Sequence, residues 1–494
     1  MITTFSLSTQ NDKLTSFGTT YFPIEGTDIS AVSFKIVSDT SFWSTVTMYD
    51  NRNKLRGQFV SNQTKEKQFI TKLPTTTSFS CIPGIIESGM WYMDYQIASK
   101  SPNSTITIEV ETYSSTADIP THENESWTNI EEKNSLIKYY DSLDSSLAIA
   151  KNQWFAGDFH THTIASDGHM TIEENQISAN NMGLDFYIAT DHNLVPTQWA
   201  SGNTTVFPGI EVTSTLGHFN LLWVDDFVFD TFSIHDIEDA ERLLNLIKTY
   251  RNRALISINH PFLTVWKWLL HDLPLNWIDS IELMNDPTYP ANKSATHQAL
   301  LFWNQLLNDG YKITGIGGSD SHLKPDDSYP ESLLPSLIGD PKTTVLSKSL
   351  SPKDLKESVK AGRVNISRFG QLDVNYNDYF PGEVRPFEEL LSSPTINIKV
   401  YYSFSKDSIY EIKPLIQIVI DGNIIAVVAD NHVSYTHTFE NLSDDNYHWI
   451  RIQIINWDDE VLAISNPLFY GSKQTSYQKW GDVLNDLPDT TPDN

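Results

Sequence analysis

Cysteine is nearly absent. Cys81 stands alone among 494 residues, which excludes an intrachain disulfide, a thiolate metal site and a CxxC redox pair. Positive charge is also scarce: 34 Lys and Arg against 62 Asp and Glu leave a formal charge of −28. No basic run offsets it, so duplex nucleic acid and anionic lipid surfaces are repelled and are not expected as partners. A small anion stays acceptable, because bound cations can set the local field against the global charge. No apolar run approaches the ~18 residues that would cross a bilayer. The stretch Met1-Ile2-Thr3-Thr4-Phe5-Ser6 has neither a basic nor an apolar leader region. The expectation is a soluble, cytoplasmic protein.

Aromatic residues are plentiful. With 39% hydrophobic content, 13 Trp, 24 Phe and 21 Tyr, packed cores are expected rather than disorder. The length allows roughly three domains of about 150 residues each.

Residues 1–115 read as β throughout. Alternating β-branched and aromatic runs (Ala31 to Ile36, Ser44 to Tyr49, Gly57 to Val60, Trp91 to Ile97, Thr105 to Val110) are punctuated by polar turns such as Asp50-Asn51-Arg52-Asn53, the pattern of a β-sandwich. Residues 116–130 are polar and read as a linker. From 131 to 370 strand and helix signals alternate. Helical spacing runs over Asn134 to Ala150, Ile172 to Met182, Ser233 to Arg251 with Ser233 as N-cap, Ser294 to Leu307, and Ser351 to Ala361. Buried strands precede Asp191-His192, Glu211, Asn259-His260-Pro261 and Ser319-Asp320-Ser321-His322. Such βα alternation predicts an α/β unit with parallel strands. Residues 371–476 turn β again, with the hairpin turn Asp421-Gly422-Asn423, and read as an Ig-like sandwich. Residues 477–494 read as a frayed polar tail.

The informative regularity is where histidines and carboxylates fall. In Gly157-Asp158-Phe159-His160-Thr161-His162-Thr163, two imidazoles alternate at a strand end and share one face. Asp167 follows on a Gly-containing loop. His192, Glu211, His218, His260, Asp320 and His322 occupy comparable ends further along, the rim at which barrel-type α/β domains build active sites. Each residue alone reads equally well as a turn cap or a satisfied core group; nine in register point to a site. Imidazole and carboxylate without sulfur suit Zn, Mn or Fe. Nine donors exceed what one ion takes, so two or three divalent ions are expected, with Glu211 or Asp320 bridging.

The ordered motifs Asp158-Phe159-His160-Thr161-His162-Thr163, Thr190-Asp191-His192, Gly209-Ile210-Glu211, Gly217-His218-Phe219-Asn220, Asn259-His260-Pro261 and Gly318-Ser319-Asp320-Ser321-His322 resemble those of the polymerase-and-histidinol-phosphatase (PHP) superfamily. The branch they are most similar to is that of the CehA/McbA-like metallohydrolases. The resemblance spans roughly 130–370. It implies an α/β fold, a distorted β/α barrel of seven parallel strands, here flanked by N- and C-terminal β-sandwich domains. It also implies a two- or three-metal site and hydrolysis of small phosphate esters by a metal-bound hydroxide. By the same resemblance His160, His162, His192, Glu211, His260, Asp320 and His322 would be metal ligands, and Asp167 stands where many relatives carry a third histidine. Arg363, after Gly362, would pair with the substrate phosphate. Asp158 is a candidate to orient a ligand histidine. Two other functions are compatible with the same residues: a carboxyl or carbamate esterase or amidase, and a non-catalytic binding protein around a vestigial site.

Overall fold

The computed structural model describes residues 2–8, 15–38, 42–61, 66–99, 105–128, 152–404, 413–440, 442 and 446–487. The helix expected over Asn134 to Ala150 lies outside the described residues. The fold is mixed α/β, rich in strands arranged in several sheets, with few helices.

Near the N-terminus the alternating runs form two four-stranded antiparallel sheets. One orders Ile2–Ser8, Thr105–Tyr113, Ala31–Ser38 and Gln68–Thr71; the other orders Thr15–Ile24, Gly89–Ser99, Phe42–Tyr49 and Leu55–Ser61. Every second side chain of a strand faces the same way. The inward ones from both sheets, including Phe22, Phe34, Trp91, Met93 and Ile108, share one buried cluster. The expected linker over 116–130 is anchored where it is described. Glu125–Ser126 pairs with Gln198–Trp199, and buried Trp127 stacks on Trp199 at 4.6 Å.

The central strands are β1 (Gln153–Thr161), β2 (Phe186–Ala189), β3 (Thr205–Ser214), β4 (Gly217–Leu222), β5 (Leu255–Ile258), β6 (Ser280–Asn285), β7 (Thr314–Gly318), β8 (Lys342–Ser347) and β9 (Val364–Ser367). They lie in the order β7-β6-β5-β4-β3-β2-β1-β8-β9. Helices α1 (Ile172–Asn181), α2 (Ala240–Tyr250), α3 (Asn292–Asn308) and α4 (Pro352–Lys360) connect them. Thr171 and Glu174 cap α1 reciprocally, and Ser351 caps α4 ahead of Pro352. Helix α2 starts later than its periodicity suggests. Asp239, not Ser233, accepts from the first turn, while the Ser233 hydroxyl donates to Asp94 at 2.9 Å.

An all-parallel sheet is not what forms. The β1–β2, β2–β3, β5–β6 and β6–β7 pairs are parallel, but β4 runs antiparallel to both β3 and β5, and β8 runs antiparallel to β1 and β9. The link from β3 to β4 is only Thr215-Leu216, too short for the crossover that a parallel neighbour needs. The sheet also curls. Residues just past β7 return to β1, where Asp320 N–H donates to the His160 carbonyl at 2.8 Å and Thr161 bridges Ser321 in parallel. Gly318 permits that approach: a Cβ there would lie 2.5 Å from both the His160 Cβ and Glu282 Oε1.

Strand β9 continues into the C-terminal strands. It pairs with Val461–Ser465, which leads on through Tyr447–Ile455 and Leu415–Ile420 to Asn423–Val428. A three-stranded sheet of Gly370–Tyr376, Thr395–Phe404 and His432–Thr438 packs over this extension through a shared core. The C-terminal β layer is therefore joined edge to edge with the central sheet, which leaves β9 no open edge. The tail differs from expectation as far as residue 487. Trp480–Asn485 is helical, and buried Trp480 stacks on Phe302 at 4.2 Å. Asp309 accepts from the Ser476 and Tyr477 amides. Apolar burial of one indole outweighs the polar composition of the segment. Among the described residues no helix is long and apolar enough to cross a membrane.

The N-terminal sheets are pinned to the central strands by buried polar contacts. Gln58, fully buried, donates to the Val195 carbonyl and accepts from the Val195 amide, both at 3.0 Å, and the Tyr49 hydroxyl donates to the Phe229 carbonyl at 2.7 Å. Gln58→Ala strands both backbone groups of Val195 away from water and is expected to lower unfolding free energy by about 2 kcal/mol, read from a urea titration; an unchanged midpoint would contradict this role.

Candidate metal centre

The rim at the C-terminal ends of β1, β2, β5 and β7, with the adjoining ends of β3 and β4, gathers all nine sequence-identified donors. His160 and His162 leave the end of β1, fully buried, with ring centroids 5.1 Å apart. Two donors depart from the strand-end pattern: Glu211 lies within β3, and His218 lies at the start of β4, opposite Thr213. Because β4 runs antiparallel, its first residues meet the same rim as its neighbours' last ones.

Glu211 is the hub. Its two carboxylate oxygens lie 2.7 to 3.5 Å from nitrogens of His160, His162, His192, His218 and His260. Asp320 Oδ1 is 3.3 Å from His160 Nε2 and 2.9 Å from His162 Nε2. Asp167 Oδ1 faces His192 at 3.5 Å and His322 at 3.2 Å. Among the described residues three overlapping groups could each hold an ion: His162 with Asp167, His192 and His322; His160 with His162 and Glu211; His192 with Glu211 and His218. Donors about 2.1 Å from a common tetrahedral centre stand about 3.4 Å apart, close to the spacings here. Several atoms of the cluster, namely His160 Nε2, both His162 ring nitrogens, Asp167 Oδ1, Glu211 Oε2 and Asp320 Oδ1, are buried without a hydrogen-bond partner. Native interiors rarely tolerate such orphans, and cations would satisfy them. The donor set therefore fits divalent metal.

A second layer of residues holds the donors in place, as metal sites require. Asp158 does so through backbone rather than by gripping an imidazole. Its carboxylate accepts from the amides of His160, Ser319 and Gly339 at 3.1, 3.0 and 2.6 Å, tying β1 to the Asp320 loop. Asp191 accepts from the Thr163 amide and hydroxyl and from the Ser166 hydroxyl, which fixes the loop that carries Asp167. Glu282, in the middle of apolar β6, lies 3.2 Å from His160 Nδ1 and accepts the His260 amide at 2.9 Å. Asn259 donates to both Glu211 and Asn220 at 2.9 Å. His260 and Asp320 both adopt left-handed backbone, with φ of 27° and 46°, a strain that surrounding structure must hold and that clusters at functional sites.

Glu282 escaped sequence reasoning, as did Asn285, whose amide donates to Glu282 at 3.0 Å and to Asp320 at 3.2 Å; Asp191 and Asn259 stood in the motifs without an assigned role. For Glu282 a signal existed: a carboxylate inside the apolar run Ser280–Asn285 must be paired to be buried. Arg363 behaves in the opposite way. Its carbonyl accepts the Leu346 amide, and β8 registers Leu346 against Trp154 on β1. That level is six residues before His160, about 20 Å away at about 3.3 Å per residue. Arg363 is absent from the cavity over the donors, because α4 and β9 meet at the far end of the sheet.

Charge in the cluster is strongly coupled. Burial disfavours the imidazolium of His160, yet Asp320, Glu211 and Glu282 outweigh it and hold the ring well above its ordinary value. His192 is raised against burial by Glu211 and Asp167, and His322 is raised against burial by Asp167 to about 10. His162 goes the other way, to about 4, through burial and through the neighbouring His322 and His192. Burial would raise Glu211 and Asp320, but the surrounding imidazoles hold both well below the carboxylate range. Asp158, with no cation near, is pushed up by burial to about 6 in spite of its hydrogen bonds.

No protein-family model matches the chain, and no curated protein does. Among solved structures the chain is similar to a two-domain protein containing a predicted PHP-like metal-dependent phosphoesterase from Bacteroides vulgatus ATCC 8482, at 16% identity over 64% of this chain and 96% of that one, with a TM-score of 0.35. A β-glucosidase from Kluyveromyces marxianus in complex with glucose aligns at 7% identity over 94% of this chain and 45% of that one, with a TM-score of 0.13.

A nitrogen must shed its proton before it can bind metal. The neighbouring carboxylates favour the protonated form of His160, His192 and His322, so metal loading is expected to release protons and to weaken as pH falls. The expected slope is about tenfold in affinity per pH unit for each proton displaced. Calorimetric titration of Zn²⁺ or Mn²⁺ in buffers of differing ionisation enthalpy measures it; a pH-independent affinity between pH 6 and 8 would contradict the geometry.

Proposed function

We propose that the chain is a metal-dependent hydrolase of ester bonds, most simply a phosphoesterase. The observation that supports this is the buried knot of five imidazoles around Glu211, extended by Asp320 and Asp167, with unpartnered donor atoms facing one another. We read the curled sheet as a distorted β/α barrel of the PHP type, the ordered motifs as those of the CehA/McbA-like branch, and the β-rich segments on either side as sandwich domains. Two or three ions of Mn, Zn or Fe would supply a nucleophile by acidifying water and would offset charge on the phosphoryl oxygens.

The chain's own residues have separable tasks. The histidines and Asp320 would hold the ions; Glu282, Asn259 and Asp158 keep those side chains and their backbone in place. The cavity admits the ester and limits water. In the reaction a bond forms from phosphorus to the water oxygen, the bond from phosphorus to the alcohol oxygen breaks, and the alcohol leaves with a proton. One feature favours the second reading, attack on a carboxyl or carbamate ester. Lys267 is the sole Lys or Arg among the described residues lining the cavity, so a doubly charged phosphate would depend on the ions for neutralisation.

Protein purified without chelator is expected to carry transition metal by elemental analysis and to hydrolyse aryl phosphates, phosphodiesters or aryl esters when supplied with Mn²⁺, Zn²⁺ or Fe²⁺. His160→Ala and Asp320→Ala are each expected to lower kcat/KM by at least about a hundredfold and to reduce bound metal. Metal-free, inactive protein in every divalent salt would end this reading.

A further inference from the structure

Above the metal centre lies a cavity of about 680 Å³, and its walls come from two parts of the chain. Trp43, on strand Phe42–Tyr49 of the N-terminal sheets, meets His192 edge-on with ring centroids 5.3 Å apart. To the same lining the central unit supplies Trp266, Tyr289 and Tyr329. Tyr289 sits 6.4 Å from Trp266, tilted, and 5.1 Å from Tyr329, edge-on, and the Tyr329 hydroxyl is anchored on buried Asp286 at 2.8 Å. Leu263 and Val265 complete the apolar lining. Beside the mouth the same loop leaves Val265, Trp266 and Leu269 exposed at 75%, 42% and 43%.

The charges argue against a polyanionic occupant. Apart from the metal donors, Lys267 shares the lining with Glu238 and Asp286, so beyond the metal floor a nucleoside polyphosphate or oligonucleotide meets more repulsion than pairing. An aromatic, concave and mostly uncharged chamber with a cation-binding floor instead fits a ligand with one small polar head and a bulky apolar body.

We propose that this cavity selects esters whose alcohol part is a bulky, ring-bearing apolar group, and that Trp43 is the specificity-determining residue lent by the N-terminal sheets. The inference rests on the hydrolase reading for its reaction, but its binding test does not need turnover. The head group sits at the metal floor, and the ring lies among Trp43, Trp266 and Tyr289. On hydrolysis the ring-bearing alcohol leaves into this apolar chamber while phosphate stays at the floor.

Metal-loaded protein is titrated calorimetrically with phenylphosphonate and with methylphosphonate, which share a head group and are not hydrolysed. Phenylphosphonate is expected to bind at least about tenfold tighter. Trp43→Ala is expected to erase most of that difference, Trp43→Phe to restore it, and the exposed Trp457→Ala to leave it untouched. In parallel, kcat/KM is compared for 4-methylumbelliferyl phosphate, decyl phosphate and glycerol 2-phosphate. A preference for the ring-bearing ester that collapses in Trp43→Ala supports the proposal. Equal affinity for the two phosphonates, or a preference for the decyl ester that ignores Trp43, overturns it even if hydrolysis stands. Selective phenylphosphonate binding with no ester cleaved would uphold the cavity's selectivity and refute the hydrolase reading alone.

Discussion

Everything at the rim answers to one electrostatic constraint, the complete burial of the Glu211 carboxylate. An ionised carboxylate removed from water is tolerated only if paired and hydrogen-bonded. Here the partners are five imidazoles and the Asn259 amide, and they arrive from β1, β4 and the loops after β2 and β5. Bringing them to one point explains local features that look costly in isolation. These include left-handed backbone at His260 and Asp320, a glycine where β7 meets β1, and a carboxylate in the middle of β6. Each makes sense as a consequence of packing donors of both signs into a volume from which water is excluded.

The same packing ties the site to the flanking β layers. Gln58 and Tyr49 reach from the N-terminal sheets to backbone carbonyls of the central unit, and Gln96 donates to Glu238 at 2.8 Å beside the cavity. These contacts hold Trp43 against His192. On the opposite side the sheet runs unbroken from β9 into the C-terminal strands, and the final helix packs Trp480 onto α3 through Phe302. The central strands are thus braced on both flanks, which suits a site whose donors must be held within a fraction of an ångström.

Much of this was legible in residue order. Local signals carried the start of α4 at Ser351, the Asp421-Gly422-Asn423 hairpin and the β character of both ends, since each depends on residues a few positions apart. The gathering of the nine His, Asp and Glu side chains was legible too, because most of them follow a buried-strand signal and His and Asp there are chemically distinctive. The direction of β4 was not, since a two-residue link is visible only once the ends of β3 and β4 are known. Arg363 misled for a related reason: its place after a glycine at a helix end says nothing about which end of the sheet that helix reaches. Trp480 was hidden in a polar segment whose composition outvoted its single indole.

By itself the sequence determined the chemical inventory: imidazole and carboxylate without sulfur, an acidic surface, aromatic residues enough for several cores, and the order of donors along the chain. Those properties belong to residue types and to short-range periodicity, which survive without a fold. Tertiary structure alone decided that Glu211 is the hub, that Glu282 and Asn259 support it, that Arg363 is about 20 Å away, and that Trp43 from the N-terminal sheets reaches His192. Those are distances between residues up to hundreds of positions apart, and they are set by sheet curl, strand direction and edge pairing rather than by any local preference.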